Sequence, residues 1–223
     1  MATGNPDAEF ILNNAKRLIT VATRCVWSFG SADGLNDLLL IPDDPEGDWR
    51  QPFAVLHRDA VMMTVVRVSI LLDRDGVSFQ AIHRLLKDPS VIAALLLALE
   101  DRHGSDVYSP SRTELIEEFR QIYGEIDWKV HGRLVHLRNL GIAHLTPEEM
   151  TKSVTFDELR TMVEVIVRLT SNLQHLCQTQ TAFRADAMNE YRELARKTIT
   201  PPGKRNGDGN GQDNCHKQCP RCQ

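Results

Sequence analysis

The fold class follows from residues 111–137, which read SRTELIEEFRQIYGEIDWKVHGRLVHL. Ser111 and Glu114 have the spacing of a capping box, in which the serine oxygen accepts a hydrogen bond from the backbone N–H of the fourth residue and the glutamate reaches back. Apolar side chains then recur every three or four residues, at Leu115, Phe119, Ile122, Ile126, Val130, Leu134 and Leu137. Because this is the period of one face of an α-helix, the segment predicts one helix of about seven turns.

Two long helices are predicted upstream of this one. Residues 10–26 have the same spacing and predict an amphipathic helix of about 20 residues, which Gly30 and Gly34 end. Residues 31–50 carry six carboxylates and predict a solvated acidic loop, although such carboxylates can also bind a metal. Residues 52–72 are apolar on most sides, so we expect this helix to lie centrally in the bundle. Arg67 would then need a partner, either in a structural ion pair or beside a functional site.

Capping signals mark where the remaining helices begin. Ser78 and Asp88 are each predicted to cap a short helix. Thr155 and Glu158 repeat the capping box and begin a last long helix that runs to about residue 197. No long stretch alternates between apolar and polar residues as a strand would. The sequence therefore predicts an all-α bundle of about six helices within residues 1–200.

The composition is that of an ordinary globular protein, with 42% apolar and 25% charged residues. The longest apolar run, residues 91–99, is far shorter than the roughly 18 to 20 residues that span a bilayer, and the first residues have no signal-peptide pattern. We therefore expect a cytoplasmic protein without membrane contact. Because 26 basic and 30 acidic residues give a net charge of −4, any RNA must be bound at a local site rather than over a basic surface.

The five cysteines fall into two groups. Cys25 and Cys177 lie within predicted helices and are expected to be reduced and buried as small apolar side chains. The others belong to residues 201–223, a Gly- and Asn-rich segment without aliphatic side chains, which predicts a disordered tail. Its end carries three thiols and an imidazole, at Cys215, His216, Cys219 and Cys222. These are zinc-type ligands, but a single such knuckle predicts an inessential tail more than a metal site, so we expect no metal and no cofactor.

Residues 131–144, HGRLVHLRNLGIAH, concentrate the chemistry-bearing side chains. Arg138 can hold a phosphate through two parallel N–H donors, and His144 can transfer a proton near neutral pH. Asn139 can orient either of them. Six residues of ideal helix place Arg138 and His144 about 120° apart, so the same segment of a second chain could complete the pair. Nearby, His131 and His136 have no assigned role, and Arg133 either adds positive potential or lies on a solvated face.

Residues 138–144, RNLGIAH, resemble the Arg-polar-x4-His signature of the HEPN superfamily, which consists of helical, dimeric proteins that include many metal-independent ribonucleases of toxin–antitoxin and phage-defence systems. Upstream, residues 71–86 are similar to the abortive-infection (AbiU-like) branch. The resemblance implies a metal-independent endoribonuclease in which Arg138, Asn139 and His144 are catalytic and in which two chains form the site. An antitoxin protein is a possible further partner, as in the toxin–antitoxin members of that superfamily. Where many relatives carry a modifiable tyrosine, this chain has Thr146, which argues against regulation by tyrosine adenylylation.

The length of the apolar stripes in residues 115–137 and 159–177 also predicts a homodimer that buries the motif helix. Two other interpretations are open. The chain can be a catalytically silent HEPN module that binds RNA, a nucleotide or a partner protein. It can also be an unrelated helical protein in which a zinc-bound tail carries the function.

Overall fold

The computed structural model describes residues 5–39, 50–105, 110–139, 154–179, 183–184 and 186–198. Within those ranges the regular structure is entirely helical, which confirms the all-α prediction. The eight described helices are α1 (Pro6–Leu39), α2 (Arg50–Leu71), α3 (Phe79–Leu85), α4 (Pro89–His103), α5 (Arg112–Gly124), α6 (Trp128–Arg138), α7 (Phe156–Cys177) and α8 (Ala187–Thr198). None of these eight is both long and apolar enough to cross a membrane. The predicted tail, residues 201–223 with its four zinc-type ligands, lies outside the described residues.

The expected count of six helices is wrong because two predicted helices are each divided. The first division falls between α5 and α6, where the Asp127 carboxylate caps α6 by accepting the N–H groups of Lys129 and Val130 at 2.8 and 3.1 Å. The second follows Cys177, where Gln178 takes a left-handed conformation with φ 45° and ends α7. The apolar period continues across the first division, so the periodicity alone did not show it.

The predicted helix starts are confirmed. Both capping boxes are complete: Ser111 and Glu114 form one at α5, and Thr155 and Glu158 form the other at α7. Ser78 accepts a hydrogen bond from the N–H of Ala81 at 3.1 Å at the start of α3. These caps satisfy helix N–H groups that have no partner within the helix.

The prediction that Gly30 and Gly34 end the first helix is wrong, since α1 continues to Leu39. Both glycines are buried where α8 crosses α1. A Cβ atom at Gly30 would lie 2.6 Å from the carbonyl oxygen of Met188, and one at Gly34 would lie 2.6 Å from that of Arg192. The two glycines therefore allow α8 to approach α1 closely, and their absent side chains serve packing instead of a turn.

Gly34→Ala should destabilise the protein, although Gly→Ala inside a helix ordinarily stabilises by about 0.5–1 kcal/mol. The added methyl would displace the backbone of α8, and such overpacking costs about 1–3 kcal/mol. Gly132→Ala is the matched control, because Gly132 is exposed on α6 and a Cβ there meets nothing within 4 Å. Urea unfolding measures both variants. A gain of stability in both would show that α8 does not pack on α1 as described.

Part of the predicted acidic loop is helical and ion-paired. Asp33 and Asp37 lie in α1, and Asp33 is only 2% exposed. Asp33 accepts two hydrogen bonds from Arg160 of α7, at 2.7 and 3.1 Å, and lies 3.2 Å from Nε of Arg192 of α8. Asp37 pairs with Arg192 at 2.8 Å and also with Arg196. Although burial alone would raise the pKa of Asp37, the hydrogen bonds and charges of Arg192 and Arg196 lower it. The two carboxylates thus join α1 to α7 and α8, while residues 40–49 lie outside the described ranges.

The expectation that residues 52–72 lie centrally is also wrong. The buried side of α2 includes Val65, Val68 and Leu71, and α2 packs on α1, α6 and α7. The opposite side carries three apolar residues at seven-residue spacing, Leu56, Met63 and Ile70, which are 51%, 44% and 44% exposed. We call these three the exposed row. Arg67 is half-buried and donates from Nη1 to the carbonyl oxygen of Arg24 at 2.9 Å, so a carbonyl takes the place of the expected ion-pair partner.

The core consists of the stripes that the sequence showed, and one chain covers them. Leu115, Phe119, Ile122 and Leu134 are all buried within this chain, as is the apolar side of α7. The stripes therefore give no reason to expect a second chain along α6. The two described cysteines are free thiols buried in this core, and burial raises the pKa of both Cys25 and Cys177 to about 12. Their predicted role as apolar side chains is confirmed.

Candidate functional site

The candidate site lies where the end of α6 meets the turn between α2 and α3. Arg138 is the last residue of α6, and Asn139 is its C-cap. The Nε group of Arg138 donates to Oδ1 of Asn139 at 3.1 Å. Its Nη1 atom lies 3.9 Å from Oδ2 of Asp73, which follows α2. Asn139 thus holds one edge of the guanidinium, while Asp73 attracts the group from a distance beyond a normal hydrogen bond.

Among the described residues, the guanidinium of Arg138 has no carboxylate within hydrogen-bond distance, unlike those of Arg133 and Arg168. Arg133, one and a third turns earlier on α6, lies 2.6 Å from Glu158 at the start of α7. Arg168 is bound bidentately by Glu125. The charge of Arg133 is therefore compensated in an ion pair between α6 and α7, which argues against added positive potential, while its side chain is one-third exposed. Arg138 keeps its two Nη groups without a hydrogen bond to any described residue, and its side chain is partly exposed. Two parallel donors of this kind match a phosphate.

His131 joins this site, although no role was assigned to it from the sequence. It lies seven residues before Arg138, which places it within about 20° of the same helix face. Burial lowers the pKa of His131; the Asp73 charge opposes this shift, and the Arg138 charge adds to it. The net shift favours the neutral imidazole, and its Nε2 atom is buried without a hydrogen-bond partner among the described residues. The seven-residue spacing was the signal that could have identified it, whereas nothing in the sequence pointed to Asp73.

A concave surface adjoins these residues, and we call it the aromatic cleft. It has a volume of about 380 Å³ and is formed by α3, the α2–α3 turn and the facing ends of α5 and α6. Its lining residues are Arg74, Gln80, His83, Arg84, Lys87, Tyr123 and Trp128. Arg74 follows Asp73 in the chain, and the rings of Trp128 and His131 are nearly perpendicular with centroids 5.3 Å apart. The cleft and the Arg138 site are therefore neighbours.

His144 and Thr146 lie outside the described residues, so Arg138 and Asn139 are the predicted site residues that the structure places together. His136 is half-buried on α6, and its Nε2 atom has no hydrogen-bond partner among the described residues. Within the same ranges, no three His, Cys, Asp or Glu side chains are grouped so that they could hold a metal ion.

No model of a protein family, no curated protein and no solved structure matches this chain.

Proposed function

We propose that this protein is a metal-independent endoribonuclease of a bacterial toxin or phage-defence system, related to the abortive-infection branch of the HEPN superfamily. Its site combines Arg138, Asn139 and His144 at a homodimer interface. The observation that carries the proposal is the state of the Arg138 guanidinium. It is oriented by Asn139, partly exposed, and paired with Asp73 only at 3.9 Å, so it can receive a phosphate.

The chemistry assigns one task to each of these residues. The 2′-hydroxyl of a ribose attacks the adjacent phosphorus, the P–O5′ bond breaks, and the products are a 2′,3′-cyclic phosphate and a 5′-hydroxyl. Arg138 holds the phosphate oxygens and stabilises the charge that grows on them. His144 transfers the proton, either from the 2′-hydroxyl or to the leaving oxygen. Asn139 fixes the plane of the guanidinium.

The exposed row on α2 is the surface that we assign to the second chain. Ile70, its last member, is three residues before Asp73, the ion-pair partner of Arg138, so the row continues into the site. Three apolar side chains that are 44–51% exposed on one helix face are also a surface that association would bury. A dimer formed here would place Ile70 of each chain at the interface, three residues from Asp73, which faces Arg138.

Met63→Glu should therefore convert a dimer into a monomer and abolish cleavage. A charge on the exposed row must lose its water when a second copy covers it, and an unpaired buried charge is costly. Light scattering at micromolar concentration measures the mass. Leu97→Glu is the control, since Leu97 is exposed on α4 and should leave the dimer intact. A monomeric wild-type protein would overturn the dimer, and a dimeric Met63→Glu variant would exclude the exposed row as its interface.

The direct test incubates the purified protein with single-stranded RNA in EDTA. We expect cleavage to persist, with 2′,3′-cyclic phosphate and 5′-hydroxyl ends on the fragments. Loss of cleavage in EDTA that added metal restores would contradict the proposed chemistry.

The second candidate is a catalytically silent HEPN-type module that binds RNA or a nucleotide. The aromatic cleft favours it, because the cleft combines aromatic rings with cations. A protein that binds RNA but leaves it uncut would support this candidate.

A further inference from the structure

We propose that the aromatic cleft binds one nucleotide, with its base against the exposed ring of Trp128 and its phosphate between Arg74, Arg84 and Lys87. This inference adds a nucleotide-binding site to the proposed function. It rests on that function for the source of the nucleotide, which is a single RNA strand that extends to Arg138. A free nucleotide would present the same base and phosphate to the cleft, and competition by a mononucleotide distinguishes it from an RNA strand.

The aromatic part of the cleft is a preformed stack. The rings of His83 and Tyr123 lie face to face, with centroids 3.7 Å apart and an interplanar angle of 16°. Trp128 contacts Tyr123 with centroids 5.5 Å apart, and its ring is tilted by 53° rather than stacked. Tyr123 is buried and forms the floor, whereas Trp128 is 41% exposed and offers its ring to a ligand. Stacking of a base on such a ring contributes about 1–3 kcal/mol without requiring a particular base.

The stack is electrically neutral at physiological pH. Burial lowers the pKa of His83 to about 4, and the charges of Lys87 and Arg120 lower it in the same direction. Burial also raises the pKa of Tyr123 to about 12. Neither ring therefore repels the phosphate or adds to the cations, and the positive charge of the cleft comes from its rim alone.

The rim carries three exposed cations, Arg74, Arg84 and Lys87, and none of them forms an ion pair with a described residue. The neighbouring Arg120 differs, because it is bound by Glu117 and by the carbonyl oxygen of Leu86. Asp88, the acid beside Lys87, is engaged in capping α4 through Ser90. In a chain of net charge −4, three uncompensated cations around one cavity form a local site for an anion.

Size and position both fit a nucleotide. A volume of about 380 Å³ lies at the lower end of the roughly 300–1,000 Å³ of small-molecule sites, which suits a single nucleotide. The amide of Gln80 can donate to and accept from a base edge. Because Trp128 contacts His131 and Arg74 follows Asp73, a strand that places one nucleotide in the cleft continues toward the guanidinium of Arg138.

The test measures binding without cleavage. A labelled oligonucleotide in which every ribose is 2′-O-methylated has no nucleophile for the proposed reaction, so fluorescence anisotropy reports binding alone. We expect Trp128→Ala and the double variant Arg84→Glu/Lys87→Glu each to weaken its binding about tenfold or more. Two controls match these changes. Trp27 is also 41% exposed, and Lys16 and Arg17 are exposed on α1, so Trp27→Ala and Lys16→Glu/Arg17→Glu should bind as the wild type does.

Competition by a mononucleotide identifies the source of the ligand. Displacement of the oligonucleotide by micromolar uridine or adenosine monophosphate would indicate a free nucleotide, and displacement only by unlabelled strand would indicate RNA. Cleft variants that bind as tightly as the wild type, or a wild type that binds no strand, would overturn the inference. If the cleft binds the oligonucleotide but RNA is not cut, the proposed nuclease activity is wrong and the nucleotide site in the cleft is supported. If the cleft variants cut RNA as well as the wild type does, the proposed nucleotide site is wrong and the nuclease activity is supported.

Discussion

Arg138→Ala and His144→Ala are each expected to reduce RNA cleavage at least about a hundredfold, which is the usual contribution of one oxyanion donor or one acid–base group. Arg138→Lys should fail as well, because an ammonium keeps the charge but loses the two parallel donors. Asn139→Ala should cost less, since Asn139 acts by holding the Nε edge of Arg138 at 3.1 Å. Initial rates of cleavage of one defined RNA in EDTA measure all four variants.

Lys129→Ala is the matched control for this series, because Lys129 is an exposed cation on the same helix. It should cleave at the wild-type rate. Circular dichroism must show that every variant is folded before a loss is assigned to chemistry. A His144→Ala variant that cleaves as well as the wild type would remove the nuclease proposal and leave the silent binding module in its place.

Asp33→Ala is expected to lower the free energy of unfolding by about 3 kcal/mol, the range found when one partner of a buried ion pair is removed. Asp33 is 2% exposed and accepts two hydrogen bonds from Arg160, at 2.7 and 3.1 Å, while Arg192 lies 3.2 Å away. Its loss leaves two half-buried guanidinium groups without their shared carboxylate. Because these groups connect α1 to α7 and α8, the effect should exceed that of an ordinary surface substitution.

Urea unfolding measures this loss, and Asp157→Ala is its control. Asp157 also faces Arg160, but at 3.9 Å and with a side chain that is 95% exposed, so its removal should have no measurable effect. Asp33→Asn should also destabilise the protein, because it keeps the size of the side chain and removes the charge. Equal stability of the Asp33→Ala and Asp157→Ala variants would show that the buried carboxylate does not hold the three helices together.

Local signals allowed the helix starts to be predicted. A capping box depends on two side chains three residues apart, so Ser111 with Glu114 and Thr155 with Glu158 carry all that is needed to begin α5 and α7. The apolar period likewise marks the side of each helix that is buried, as Leu115, Phe119 and their successors show. The predicted all-helical class follows from these two kinds of short-range information.

Glycine and aspartate in α1 show where short-range information ends. A glycine favours a helix end but also permits close packing, and only the position of α8 determines that Gly30 and Gly34 do the second. From the sequence alone Asp33 is consistent with a solvated loop, because its partner Arg160 is 127 residues away and comes close only in the folded protein. The division between α5 and α6 was missed for a related reason, because Ile126 and Val130 keep the period on both sides of the break.

The candidate site likewise combines contacts that the sequence can predict with contacts that only the tertiary structure shows. Arg138 and Asn139 are neighbours in the chain, so their pairing was open to prediction, and His131 follows from helical spacing alone. Asp73 and the aromatic cleft come from segments that meet only when α3 and the α2–α3 turn pack near α5 and α6. Helix caps and apolar periodicity depend on residues within about one or two helical turns of one another, so the sequence shows them directly. Contacts between distant segments depend on which helices pack together, which is set by the whole core rather than by any one stretch of it.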